Sequence, residues 1–237
     1  MRKSAWSVLL IFGFLFVTGC EDEEQANLFN AQYCLDRATA TNALSCVSNI
    51  EGQTDERASV LKCGARFLSR GIDTDTIVAA IEVISDEGNN ANATSTAIAN
   101  LAIPNSAANP TSYDVAFAQE IATVCAQTQS DGLIALSSFA LISTSTNALL
   151  STLVPGSCTV PYTAQCVTQG LDSFDPNTAD SSTIGQTAIQ NQEALCGENG
   201  TFKGEDICTD IDAAIAAGGD ADAVGDALLN GIKNDND

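Results

Sequence analysis

Apolar positions recur at three- and four-residue spacing along most of this chain, and no stretch of any length alternates with the two-residue period of a strand. From Leu28 to Ile50, apolar Leu28, Phe29, Tyr33, Leu35, Leu44 and Val47 predict one long helix or two short ones. Thr54-Asp55-Glu56 opens the next helix with acids in its first turn, and Gly71 closes it after Arg70. Val60, Leu61, Phe67 and Leu68 fall on one face of it; Lys62, Arg66 and Arg70, at i, i+4 and i+8, fall on the other, which predicts an exposed basic stripe. Asp73-Thr74-Asp75 caps a helix whose buried stripe is Ile77, Val78, Ile81 and Ile84. A shorter helix spans Ala93 to Leu101, and Pro104 to Pro110 is the clearest loop.

Beyond that loop, Thr111 or Ser112 caps a helix carrying Phe117, Ile121, Val124 and Cys125 on one side. Ser130-Asp131 caps another that reaches Val154 before Pro155-Gly156. Val160 to Phe174 with Ser182 to Cys196, and Asp206 to Ala217 with Asp220 to Ile232, read as two further antiparallel pairs. The expected fold is all-α, an irregular array of antiparallel helical hairpins with no sheet and no fixed-period repeat. Residues 27–104 and 111–237 form its N- and C-terminal helical parts, as two units or as one continuous domain. Gly132 to Val154 carries no charge over 23 residues. Its Ser and Thr residues and Asn147 favour a buried central helix over a membrane span; a third reading makes it the wall of an apolar ligand pocket.

The first twenty residues are of another kind. Met1-Arg2-Lys3 is basic, and Val8 to Val17 is apolar apart from Gly13. Those are the n- and h-regions of a secretory signal, too short for a spanning helix of roughly 20 residues. Val17-Thr18-Gly19-Cys20 ends the stretch with small residues before a cysteine. This resembles the lipobox of bacterial lipoproteins, with Val17 where Leu is commoner. The resemblance covers residues 1–20 alone. It implies cleavage after Gly19, acylation of the Cys20 sulfur and new amino terminus, and attachment to a membrane through those chains. Residues 20–26 would then be a lipidated acidic tether, and the chain a cell-envelope protein. Glu21 and Asp22 after Cys20 resemble both inner-membrane retention signals and the acidic surface-export signals of some bacterial lineages; the outer membrane, periplasmic or surface face, is the expected address over the inner membrane.

Nine cysteines are an odd number, and a lipidated Cys20 leaves eight. In an oxidising compartment these predict four disulfides. Cys196 and Cys208 flank a Gly-rich turn, and Cys34 and Cys46 repeat the same spacing of twelve. Cys158 and Cys166 close locally, which leaves Cys63 with Cys125 as the long-range bridge. With no His and no Cys-x-x-Cys, the sequence points to no metal and no cofactor.

Cleavage would remove two of nine basic residues and none of thirty acids, leaving seven against thirty and a net charge of −23. That excess argues against nucleic acid and anionic membrane surface as general partners. The lack of His excludes a His base and Ser-His or Cys-His dyads, and no phosphate-binding or nucleophile-elbow motif is present. The Asp-rich stretches Asp172 to Asp180 and Gly219 to Asp226 lack an EF-hand register and read as helix caps with solvated acids. The expected function is therefore non-enzymatic: an interaction or assembly component with a protein partner or a second copy of itself. Lys62, Arg66 and Arg70 are its candidate interaction stripe. The alternatives are a binder of an apolar small molecule or lipid between helices and, more remotely, an acid-pair hydrolase.

Overall fold

The computed structural model describes residues 23–85, 93–103, 112–154, 163–177 and 179–235. Among them every regular element is helical. In chain order they are α1 (Glu23–Leu35), α2 (Ala43–Cys46), a 3-10 turn (Ser48–Ile50), α3 (Glu56–Ser69), α4 (Thr74–Ser85) and α5 (Ala93–Leu101). Then come α6 (Ser112–Cys125), α7 (Asp131–Leu153), α8 (Ala164–Asp172), α9 (Ser182–Cys196), α10 (Asp206–Ala217) and α11 (Ala221–Asp235). The expected signal peptide at 1–19, Cys20, Cys158 and the expected loop at 104–110 lie outside the described residues. The segment expected to be an acidic tether is helical from Glu23, with Glu23 and Glu24 in the first turn of α1, where the helix dipole favours anions.

Local chemistry sets several of these boundaries. The Asp55 carboxylate accepts from the Arg57 and Ala58 amides at 3.0 and 3.2 Å and starts α3. Gly71, at φ 79°, supplies the left-handed residue that ends it. Asp73 accepts from the Thr76 amide at 2.9 Å to start α4, and the Ser130 hydroxyl caps α7.

The 23-residue α7 is the axis of the body, with α5, α6, α8 and α9 packed around it. Length and composition would let it cross a membrane, but the chain's own helices bury it. Several of its buried polar side chains are accommodated in two ways, while the hydroxyls of Ser143, Ser145 and Thr146 are buried with no hydrogen-bond partner among the described residues. Ser138 and Thr144 donate to the carbonyls four residues back, at 2.7 Å each. Thr144 Oγ1 also accepts from the Ile103 amide at 2.9 Å, and Asn147 Nδ2 donates to Ile98 O at 3.3 Å. Two polar side chains of the core thus tie the end of α5 to α7, satisfying backbone groups that a purely apolar helix would strand. Cys63, Phe67, Ile98 and Leu101 share one buried cluster with Ile121, Phe139, Ile184 and Leu228, so a single core includes residues from both sides of the 104–110 segment.

A smaller core of Ala31, Val47, Ile50, Ala58 and Ala65 joins α1, α2 and the 3-10 turn to α3. The helix α3 is the shared wall, giving Ala58 and Ala65 to this core and Cys63 and Phe67 to the larger one. Bridges pin the layers: Cys34–Cys46, Cys63–Cys125 and Cys196–Cys208, with Cα–Cα distances of 5.4, 5.0 and 5.3 Å, as the spacings predict. Cys166 is also disulfide-bonded.

Of the two readings of Leu28 to Ile50, the one with two short helices holds: the region breaks after Leu35, where Cys34–Cys46 folds the chain back on itself. One pairing differs from expectation. The helix α8 does not make its main packing with α9: α8 lies on α5 and α7, while α9 lies along α7 and α11. Glycine explains the preference of α9 for α11. A β-carbon at Gly185 would stand 1.8 Å from Ala221 O and 2.5 Å from Gly225 N. One at Gly225 would stand 2.2 Å from Ser181 O. The backbones of α9 and α11 are thus nearly in contact, a crossing that only glycine permits.

Candidate functional site

The basic stripe on α3 is not exposed. Lys62 is 5% exposed, and its Nζ donates to Gln53 O at 2.7 Å. The Arg66 side chain is 11% exposed and stands 3.1 Å from Glu120 of α6 and 3.7 Å from Glu51. The Arg70 guanidinium lies over the Phe117 ring, 3.7 Å from its centroid. The helical spacing does put all three on one side, but that side faces α6 and the turn before α3. The expected interaction stripe is therefore an internal brace. Carbonyls, a carboxylate from α6 and an aromatic face give these cations partners that water would otherwise supply. The opposite, more open side carries Val60, with Leu61 and Leu68 only partly covered.

A second set of polar groups surrounds Ser181, the residue before α9. Its amide donates to Asp222 Oδ1 at 2.8 Å, and its hydroxyl lies 2.6 Å from Asp226 Oδ1 and 3.0 Å from Asp222 Oδ1. Burial raises the Asp226 pKa above its ordinary value, helped by the negative charges of Asp222 and Asp220 and opposed by the Ser181 hydrogen bond. Elsewhere Asp175 and Asp180 close Asx turns on Asn177 and Ser182, and those hydrogen bonds lower their pKa values. Neither Asp222 nor Asp226 lines a described groove. Their geometry is that of a clasp between α9 and α11. Among the described residues no three His, Cys, Asp or Glu side chains group as metal ligands.

A groove of about 710 Å³ runs between α6 and α9 over Leu141 of α7. From α6 come Gln119, Ala122 and Thr123, with Ala126 just past its end, a three- and four-residue spacing that presents one helix face. From α9 come hydroxyls and amides, chiefly Thr183, Gln186, Thr187 and Gln190. Thr123 and Thr187 donate their hydroxyls to carbonyls of their own helices, at 2.8 and 2.7 Å. Gln119, Gln186 and Gln190 are exposed. Among the described residues no charged side chain lines the groove, in a protein where acids outnumber bases thirty to nine. Of α7 only Leu141 reaches it, so the long apolar helix does not wall an apolar pocket there.

Sequence reasoning did not single out these glutamines, because amides in a helix carry no periodic or motif signal. The clasp and the glycine crossing do leave a trace: Ala221 and Gly225, small residues four apart, with Gly185 on the facing helix. No family model matches the chain, and no curated protein or solved structure matches it.

Proposed function

We propose that this is a lipid-anchored, non-enzymatic interaction component of the bacterial cell envelope, held at the outer membrane by acyl chains on Cys20 and engaging a protein partner through the α6–α9 groove. The observation that carries the anchoring is Val17-Thr18-Gly19-Cys20 at the end of a short apolar segment. The remaining cysteines are even in number, and seven of those eight are disulfide-bonded. The groove supports the contact role. Amides both donate and accept, so a row of exposed glutamines suits the backbone of an extended peptide segment, whose own groups alternate in the same way. An uncharged lining also spares an incoming segment the repulsion that the strongly acidic chain otherwise imposes.

Mass spectrometry of the membrane fraction tests the anchor. The wild type should carry acyl chains on Cys20, and Cys20→Ser should retain residues 1–19; a mature wild-type protein without acyl chains ends the reading. A photo-reactive residue at Gln186 tests the groove in intact cells. A discrete cross-linked protein should appear and should be lost when Gln119→Glu and Gln190→Glu add charge. A cross-link that persists with both charges present rejects the groove as the contact.

A further inference from the structure

The described residues expose six large hydrophobic side chains: Phe29, Tyr33, Leu44, Val60, Val78 and Ile189. Four of them lie between residues 29 and 60, in the layer nearest the amino terminus, so the exposed apolar surface is concentrated and not scattered. Phe29 is 69% exposed and Tyr33 55%. Their rings stack with centroids 6.4 Å apart, and the Arg37 guanidinium covers Tyr33 at 3.6 Å. These three form a ladder that begins on the outer face of α1 with Phe29 and Tyr33, four residues apart, and ends on Arg37 in the turn after Leu35. Beside it a groove of about 640 Å³ runs between α1 and α3, lined on its apolar half by Leu28, Phe29, Val60 and Leu61 and on the rest by polar groups that include Glu56 and Arg57. The ladder stands on a rigid base, since Cys34–Cys46 and the small alanine-rich core fix α1 to α2 and α3.

We infer that this α1–α3 face is a membrane-docking surface, lying in the interfacial layer of the bilayer that holds Cys20. The inference rests on the lipid-anchor reading. Cys20 precedes Glu23 by three residues, so a fully extended chain keeps the start of α1 within roughly 10 Å of the acylated cysteine. At about 1.5 Å per residue the thirteen residues of α1 are about 20 Å long. A short tether and a short helix leave the ladder close to the membrane, at a high effective concentration. Its composition suits that layer: aromatic rings sit at headgroup depth, and arginine stems lie along apolar surface with their charge in water. Glu23, Glu24 and Glu56 border the face, so the attraction is apolar burial into a zwitterionic bilayer and not charge pairing with anionic lipid. Seating an acyl chain of Cys20 in the groove would withdraw that chain from the bilayer, at about 0.8 kcal/mol per methylene.

The single Trp of the chain is Trp6, which lies in the signal peptide. Full-length lipidated protein carrying Tyr33→Trp therefore has one fluorophore after processing, and Ile189→Trp provides a distant control. In phosphatidylcholine vesicles with brominated acyl chains, Tyr33→Trp should be quenched several times more than Ile189→Trp, and added salt should leave that ratio unchanged. Adding Phe29→Ser and Val60→Ser should bring the ratio towards one with unchanged helicity. Equal quenching in protein shown by mass to be acylated overturns docking and spares the anchor; protein without acyl chains overturns both. Quenching abolished by salt, a blue-shifted but unquenched fluorophore, or a dimer dispersed by Phe29→Ser each overturns docking, in favour of headgroup pairing, a seated acyl chain or a second copy.

Discussion

Replacing glycine by alanine at two helical positions should move stability in opposite directions. At Gly64, midway along α3, a new methyl meets nothing within 4 Å. Only the unfolded-state entropy and the helix propensity change, so Gly64→Ala should stabilise by about 0.5–1 kcal/mol. At Gly185 the same methyl would be 1.8 Å from Ala221 O and 2.5 Å from Gly225 N, where ordinary contact needs 3.4 Å or more. Those atoms belong to backbone and cannot rotate aside, so α9 and α11 must separate by about the missing 1.6 Å, the difference between 3.4 and 1.8 Å. Overpacking of this kind costs about 1–3 kcal/mol or more, and rigid backbone on both sides puts this case at the upper end. Propensity returns about 1 kcal/mol, which leaves a net loss of about 2 kcal/mol. Separation would also stretch the Ser181–Asp222 and Ser181–Asp226 bonds and add to the loss. Urea unfolding with disulfides intact, followed by far-UV circular dichroism, gives both values. If Gly185→Ala proves as stable as the wild type, or Gly64→Ala is equally harmful, the close crossing is wrong.

The brace on α3 predicts that Lys62→Met, which keeps the stem and loses the charged hydrogen bond to Gln53 O, costs about 1.5–3 kcal/mol in urea unfolding. Lys62→Glu, an uncompensated buried anion beside that carbonyl, should cost about 3–5 kcal/mol. An Arg66/Glu120 double-mutant cycle should return about 1 kcal/mol or less, because the carboxylate is half exposed. Removing Cys63–Cys125, which closes a separation of 62 residues, should cost about 4 kcal/mol on the chain-entropy estimate, and removing Cys196–Cys208, with a separation of 12, about 3 kcal/mol; equal losses would refute that ranking. The raised Asp226 pKa means that the folded state holds the proton more tightly, so its stabilising share is present below the ordinary aspartate pKa and is lost as pH rises through the folded value. Asp73, Asp175 and Asp180 run the opposite way, so comparing wild type with Asp226→Asn across pH isolates the group; the variant should gain on the wild type as pH rises.

What the sequence discloses and what it conceals divide along the range of the interactions. The start of α3 at Asp55 and its stop at Gly71 depend on residues within one turn, and both are legible. The three bridges between described cysteines are legible because spacing and helix ends limit which thiols can meet. The stripe of Lys62, Arg66 and Arg70 is legible as a stripe, but its direction is not. Glu120, which turns Arg66 inward, is 54 positions away, and the carbonyl that takes Lys62 is a backbone group any residue could offer. The choice of α11 over α8 as neighbour to α9 depends on how closely two backbones approach, which hydrophobic pattern does not encode.

The shared wall α3 has a mechanical consequence. Tension applied at the amino terminus enters along α1 and crosses to α2 through Cys34–Cys46. It then follows the chain into α3 and crosses to the end of α6 through Cys63–Cys125. Every step of that route is covalent, and it ends on the helix that forms one side of the amide-lined groove. Shear between the amino terminus, where the proposed anchor would pull, and whatever grips the groove is therefore carried by bonds and not by the limited contact area of a small, alanine-rich core, so the body transmits load as a strut instead of peeling apart layer by layer.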